Sequence, residues 1–116
     1  MANITFRNSL KGEDLQMAIS AVITFQIRDG RLGEQLENLK AVKRLVERGG
    51  GTFRVHRHTF GQQINTIIAV SEYRDWNGLA KVRSDPEFVQ TVERMRSAAN
   101  PAAEPIGGDL YEEIPL

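Results

Sequence analysis

A chain of 116 residues has the length of one domain around one core and is too short for two independent ones. Its apolar share of 41% and charged share of 26% exclude a disordered chain. The 15 basic and 15 acidic side chains cancel, leaving no global field to draw in nucleic acid or an anionic membrane, so neither is expected as a partner. The lack of cysteine removes disulfides, thiolate nucleophiles and thiolate metal sites, and fits a reducing compartment, the cytoplasm.

Residues 1–17 alternate polar and apolar groups and include Arg7, Lys11, Glu13 and Asp14, which leaves no apolar run for a signal peptide. They read as an N-terminal arm, whose piece Ile4-Thr5-Phe6 is suited to docking on the body or on a second subunit, ahead of a single domain over residues 18–116. No stretch approaches the roughly 18 uninterrupted apolar residues of a membrane span. A soluble, unprocessed protein is expected.

Residues 18–28 are rich in β-branched and aromatic side chains, with Ile19, Ala21, Ile23, Phe25 and Ile27 on one side and Ser20, Val22, Thr24 and Gln26 on the other, the pattern of a strand with one apolar and one mixed face. Asp29-Gly30 ends it. Over residues 31–48, Leu32, Leu36, Leu39, Val42 and Val46 recur at helical spacing, widened by Leu45, while Glu34, Glu37, Lys40, Lys43, Arg44 and Glu47 form a solvated face. Gly49-Gly50-Gly51 stops this helix, because glycine readily takes the left-handed conformation a helix end needs.

Residues 52–60 alternate again, with Phe53 and Val55 suited to packing under helices and Arg54, His56 and His58 sent to the opposite side of the sheet. The chain then turns back around Gly61. Residues 65–73 contain the most apolar run, Thr66-Ile67-Ile68-Ala69-Val70, expected as a central strand covered on both faces. Residues 74–99 are helical in two pieces, one presenting Trp76, Leu79, Ala80 and Val82, the other Phe88, Val89, Val92, Met95 and Ala99; Ser84 and Glu87 between them have capping-box spacing around Pro86. Residues 100–108 read as a proline and glycine linker before a last strand over residues 109–114.

The order is therefore βαββαβ, which predicts a ferredoxin-like α+β fold: a four-stranded antiparallel sheet with its helices on one face. The other face carries Val22, Thr24, Ile68, Val70 and Tyr111, and a partly apolar face of that kind implies a partner. Over residues 18–114 the chain resembles the dimeric α/β-barrel superfamily. The likeness rests on the element order, on Glu72-Tyr73-Arg74-Asp75-Trp76 running from strand into helix, and on Ser84-Asp85-Pro86-Glu87-Phe88 opening the next helical piece. It implies a homodimer in which two sheets pack face to face around a cavity in each subunit. Members include cofactor-free quinone-forming monooxygenases, haem-degrading enzymes, haem peroxidases, muconolactone isomerase and small proteins of unknown role, so the fold does not select an activity.

His56 and His58 are the protein's only histidines; two apart on a strand they point the same way, as a metal pair would. Their spacing from Gly50 resembles the first half of a cupin metal motif, but Gln62 or Gln63 stands where a glutamate belongs and no third histidine exists. No metal and no cofactor are expected. A haem reading would use one of these histidines as axial ligand with Arg54 or Arg57 on the propionates. A monooxygenase reading would draw on Asn65, Tyr73, Trp76 and His56 to hold a phenolic anion. The reading adopted is a homodimer with a cavity for a small organic ligand. Alternation places Ser20, Val22, Thr24, Gln26, Arg54, His56, His58 and Ile68 at that cavity, with Tyr73 and Trp76 at its end; no catalytic residue is assigned.

Overall fold

The first strand forms as its alternation dictates. In the computed structural model, which describes residues 17–61 and 63–116, β1 spans Ile19–Ile27. It buries Ile19, Ala21, Phe25 and Ile27 and leaves Ser20, Val22, Thr24 and Gln26 half-exposed on the other face. The expected arm lies, but for Met17, outside the described residues.

Helix α1 (Leu32–Arg48) lays Leu39, Val42, Leu45 and Val46 onto the sheet side of the core. The glycine triplet ends it as expected, with the left-handed residue at Gly50 (φ +96°). Gly51 is needed for another reason. A Cβ there would lie 2.9 Å from the Glu72 carbonyl oxygen and 2.9 Å from Val46 Cγ1, so only glycine lets β2 (Thr52–Arg57) start this close to its neighbour.

β2 ends at Arg57 rather than at residue 60, so His58 lies in the connection and Phe60 stands 95% exposed. The return turn bends at Gly61 (φ +135°) and closes at Asn65, the one non-glycine residue with positive φ among those described. Asparagine tolerates that conformation, and here its amide donates to the Ile27 carbonyl at 2.8 Å. β3 (Thr66–Tyr73) lies inside the sheet, whose order is β2-β3-β1-β4, with β4 the last strand, Ala103–Glu112. The expectation that it is covered on both faces needs correction. Ile67, Ala69, Ser71 and Tyr73 are buried toward the helices, whereas Ile68, Val70 and Glu72 are half-exposed, because among the described residues no helix crosses to that side of the sheet.

The two helical pieces are α2 (Trp76–Arg83) and α3 (Pro86–Arg96). Asp75 caps the first by accepting from the Gly78 N–H at 2.8 Å. The second is capped by Asp85, which accepts from the Glu87 N–H at 2.9 Å, and not by the capping box expected from Ser84 and Glu87. Ser84 closes α2 instead, and Glu87 turns to Arg44 and Arg48 of α1 at 3.0 Å each, while Arg48 also reaches Asp85 at 2.7 Å. These pairs tie the start of α3 to the end of α1. The nearby guanidiniums hold the carboxyls of Asp85 and Glu87 below the usual carboxylate range.

The last strand is longer than its sequence suggests. β4 spans Ala103–Glu112, so most of the expected linker is strand, paired antiparallel to β1 with a register shift between Thr24 and Phe25. Thr24 pairs with Gly107 and Phe25 with Pro105, which leaves Ile106 as the inserted residue of a bulge. A bulge on an edge strand accommodates proline, whose missing N–H breaks no internal ladder. The four antiparallel strands and three helices of the described residues thus give the ferredoxin-like α+β fold. Among the described residues no helix is long and apolar enough to cross a membrane.

Candidate functional site

The sheet has two sides, and they offer different things. Residues opposite one another in an antiparallel pair share a face. On the helix-free side Val22 lies between Val70 and Asp109, Thr24 between Ile68 and Gly107, and Ser20 between Glu72 and Tyr111. Arg54 and His56 continue this face opposite Val70 and Ile68. The structure therefore brings Ser20, Val22, Thr24, Gln26, Arg54, His56 and Ile68 onto one surface. Two of them are committed to local contacts: Arg54 donates to the Glu72 carboxylate at 2.8 Å, and the Gln26 amide donates to the carbonyls of Ile64 and Asn65 at 3.1 and 3.0 Å.

The remaining sequence candidates stand apart from that surface. His58 follows the end of β2 and stacks over Gly61, where an added Cβ would meet its Nε2. Tyr73 is buried on the helix side, 3% exposed, and burial pushes its phenol above the usual range. Trp76 begins α2, half-exposed. Arg54 and His56 also border a shallow groove with Leu36, Leu39, Lys40 and Lys43 at the outer edge of β2. There Lys43 donates to the Phe53 carbonyl at 3.3 Å and covers part of an otherwise open strand edge. Among the described residues no three His, Asp or Glu side chains converge as a metal ion would need.

A second opening lies on the other side, between sheet and helices; its volume of about 440 Å³ equals that of the groove at β2, but it is the more enclosed of the two and within the usual range for small-molecule sites. It arises from how α3 is held. That helix packs on α1 and α2, tied to α1 by the Arg44, Arg48, Asp85 and Glu87 pairs, and turns Phe88 and Met95 toward the core. The opposite wall is β1, where Ile23 stays 37% exposed on the core face because its β4 neighbour is Gly108, which offers no side chain. Ile23, Phe25, Leu39, Phe53, Phe88 and Met95 give the lining its apolar character.

Polar groups enter this lining at few points. Gln35 is 3% exposed and Thr91 5%, and both border the cavity with Asn38 and Asn100. Asn38 donates to Gln35 Oε1 at 3.4 Å. Gln35 Nε2 has no hydrogen-bond partner among the described residues. Thr91 Oγ1 accepts from Arg94 at 3.4 Å. Residues 100–103 are fixed as part of the wall by Arg28 N–H to the Ala102 carbonyl at 2.9 Å and by Arg31 to the Pro101 carbonyl at 3.2 Å.

None of the candidates chosen by strand alternation lines this cavity. Gln35 and Thr91 were not singled out in the sequence, although a signal was there. Each is a polar residue inside the apolar stripe of an amphipathic helix, Gln35 between Leu32 and Leu39 and Thr91 between Phe88 and Met95.

At the sequence level neither a family model nor a curated protein matches the chain. The fold, in contrast, is shared with solved structures. A conserved protein of unknown function from Bacteroides thetaiotaomicron, titled a "possible oxidoreductase", is 12% identical with a TM-score of 0.65, covering 84% of this chain and 98% of its own. SnoaB, a cofactor-independent oxygenase from Streptomyces nogalater, is 13% identical with a TM-score of 0.63, covering 87% and 97%. Rv0793 from Mycobacterium tuberculosis is 11% identical with a TM-score of 0.64, covering 84% and 96%. The chain shares the ferredoxin-like α+β fold of these structures.

Proposed function

We propose that this protein binds a small organic molecule in the cavity between its sheet and helices α1 and α3, and does so as a homodimer joined through the helix-free faces of two sheets. The observation that carries the reading is the cavity itself: about 440 Å³, mostly apolar, with a few buried polar groups that fix orientation, which is the usual make-up of a ligand site. The dimer is supported by the half-exposed Val22, Ile68 and Val70 and the 55% exposed Tyr111 on the opposite face, an arrangement that one chain alone leaves in water.

Thermal unfolding against a panel of small aromatic compounds tests the first part. Binding to the native state raises the midpoint, and Val92→Trp, which fills the cavity, is expected to abolish the increase. An increase that survives in that folded variant would place binding elsewhere. Light scattering tests the second part, and a monomer mass at micromolar concentration would refute it.

A second reading, a cofactor-independent oxygenase, draws on the fold shared with SnoaB. It requires the cavity to stabilise a substrate anion, a task for which Gln35, Asn38, Thr91 and Arg94 are the available groups. Oxygen uptake with anthrone-like or quinol substrates is its assay, and it stands only if uptake falls in Gln35→Leu. The haem reading draws no support from the lining, since neither histidine borders the cavity.

A further inference from the structure

Four charged residues border the cavity: Glu34, Glu37, Arg94 and Arg96. Three of them are matched by an opposite charge. Glu34 pairs with Arg31 at 2.7 Å, Glu37 with Lys40 at 2.6 Å and Arg96 with Glu93 at 3.1 Å. Arg94 has no carboxylate partner among the described residues. Its guanidinium donates instead to Thr91 Oγ1, a buried hydroxyl of the cavity wall. A cation in the last turn also suits the dipole of α3, but that effect does not explain why Arg94 is turned to Thr91 while Arg96, in the same turn, is paired with Glu93. A guanidinium presents several donors in a planar fork, so the bond to Thr91 leaves others free. Deeper in the wall, Gln35 contributes a second unspent donor on an otherwise apolar surface.

We propose that the ligand is a small amphipathic organic anion, its apolar body against Ile23, Phe25 and Phe53, its negative group on Arg94, and an uncharged oxygen of its body on Gln35 Nε2. This rests on the cavity being the binding site, as argued above. With the acidic rim groups already neutralised by Arg31 and Lys40, nothing at the mouth opposes the anion, whereas a cationic ligand would meet Arg94 unscreened by any nearby carboxylate partner.

A matched pair of fluorescent probes tests it: anilinonaphthalene sulfonate, and N-phenylnaphthylamine, which keeps the aromatic body and lacks the charge. Both are titrated against the full chain, Arg94→Gln, Arg94→Lys and Val92→Trp, with circular dichroism to show that each variant is folded. The wild-type protein is expected to bind the sulfonate about tenfold more tightly than the neutral probe, the size of a charge-assisted contact at a partly solvated mouth. Arg94→Gln is expected to erase that preference without changing the neutral titration, Arg94→Lys to keep most of it, and added salt to shrink it. Equal binding of the two probes, or a preference untouched by Arg94→Gln, overturns the anion proposal and leaves the cavity reading in place. Failure of both probes to bind, or titrations unchanged in Val92→Trp, overturns the cavity reading and the proposal with it. Should Val92→Trp not fold, Met95→Phe intrudes on the same space more mildly and is read the same way.

Discussion

Two leucines of the core offer a test of the cavity that needs no ligand. Leu39 and Leu79 are 3% and 6% exposed and belong to the same hydrophobic cluster, so burial alone predicts equal costs for replacing either with alanine. They differ in what lies beyond them. Leu39 borders the cavity on one side and the groove along β2 on the other, while Leu79 lines neither. Truncating a buried leucine costs the transfer free energy of the lost atoms plus a term for the new void, together about 3–5 kcal/mol in a close-packed site. Leu39 is packed as closely as Leu79, but the void its truncation leaves would open into the adjoining cavity and groove, where water can enter, instead of being sealed in the core. Leu79→Ala is therefore expected to cost about 3–4 kcal/mol and Leu39→Ala about 2 kcal/mol. Urea unfolding at one fixed protein concentration measures both, with unchanged slopes as the check that only stability has moved. Equal costs would mean that the wall behind Leu39 is packed in solution, and the reasoning that places a ligand there would fail.

Three further outcomes follow from the same geometry. Gly51→Ala sets a methyl group 2.9 Å from a backbone oxygen that cannot yield and is expected to lower stability by about 1–3 kcal/mol, whereas Gly33→Ala, with nothing within 4 Å of its Cβ, is expected to be neutral or stabilising; similar denaturation midpoints would contradict this. Val22→Asp places a second carboxylate beside Asp109 on the helix-free face and is expected to halve the mass seen by light scattering while leaving the circular dichroism of the fold unchanged. The carboxyls of Asp85 and Glu87 are held low by Arg48 and Arg44, so their contribution to stability is present above the ordinary carboxylate range and is lost as pH falls through their depressed folded values. Arg48→Gln is accordingly expected to flatten the acid limb of a midpoint-versus-pH curve, and an unchanged limb would show that the α1–α3 pairs are too solvated to matter.

Much of the fold was legible because it depends on local periodicity. Ile19, Ala21, Phe25 and Ile27 recur with period two, and Leu39, Val42 and Val46 with period near 3.6, and each set is buried as that spacing requires. Errors arose where tertiary pairing overrides local chemistry. Pro105, Gly107 and Gly108 are poor strand residues by composition, yet they are strand in β4 because β1 offers a free edge and the bulge at Ile106 absorbs the misfit. Asp85 displaced Ser84 as the cap of α3 for a similar reason: once Glu87 is drawn to Arg44 and Arg48, it is not available for the reciprocal half of a capping box.

The position of the cavity was not legible, because alternation says which residues share a face and not which face has a void under it. A void on the covered side depends on how far a helix stands from the sheet, and here that distance is set by contacts distant in sequence. Arg44 and Arg48 bind a helix some forty residues further on, which holds α3 against α1. Gly108, brought beside Ile23 by β4 pairing, withholds the side chain that would otherwise fill the gap. The volume between helix and sheet is bordered by Ile23 on the sheet and by Thr91 and Met95 on the helix. The few polar groups in that wall then acquire a different meaning. In a close-packed core Gln35 would need a partner for each donor, whereas beside an open cavity its Nε2 can take the ligand contact proposed above. The same holds for Arg94, whose charge needs no carboxylate from this chain if the molecule that fills the cavity supplies one.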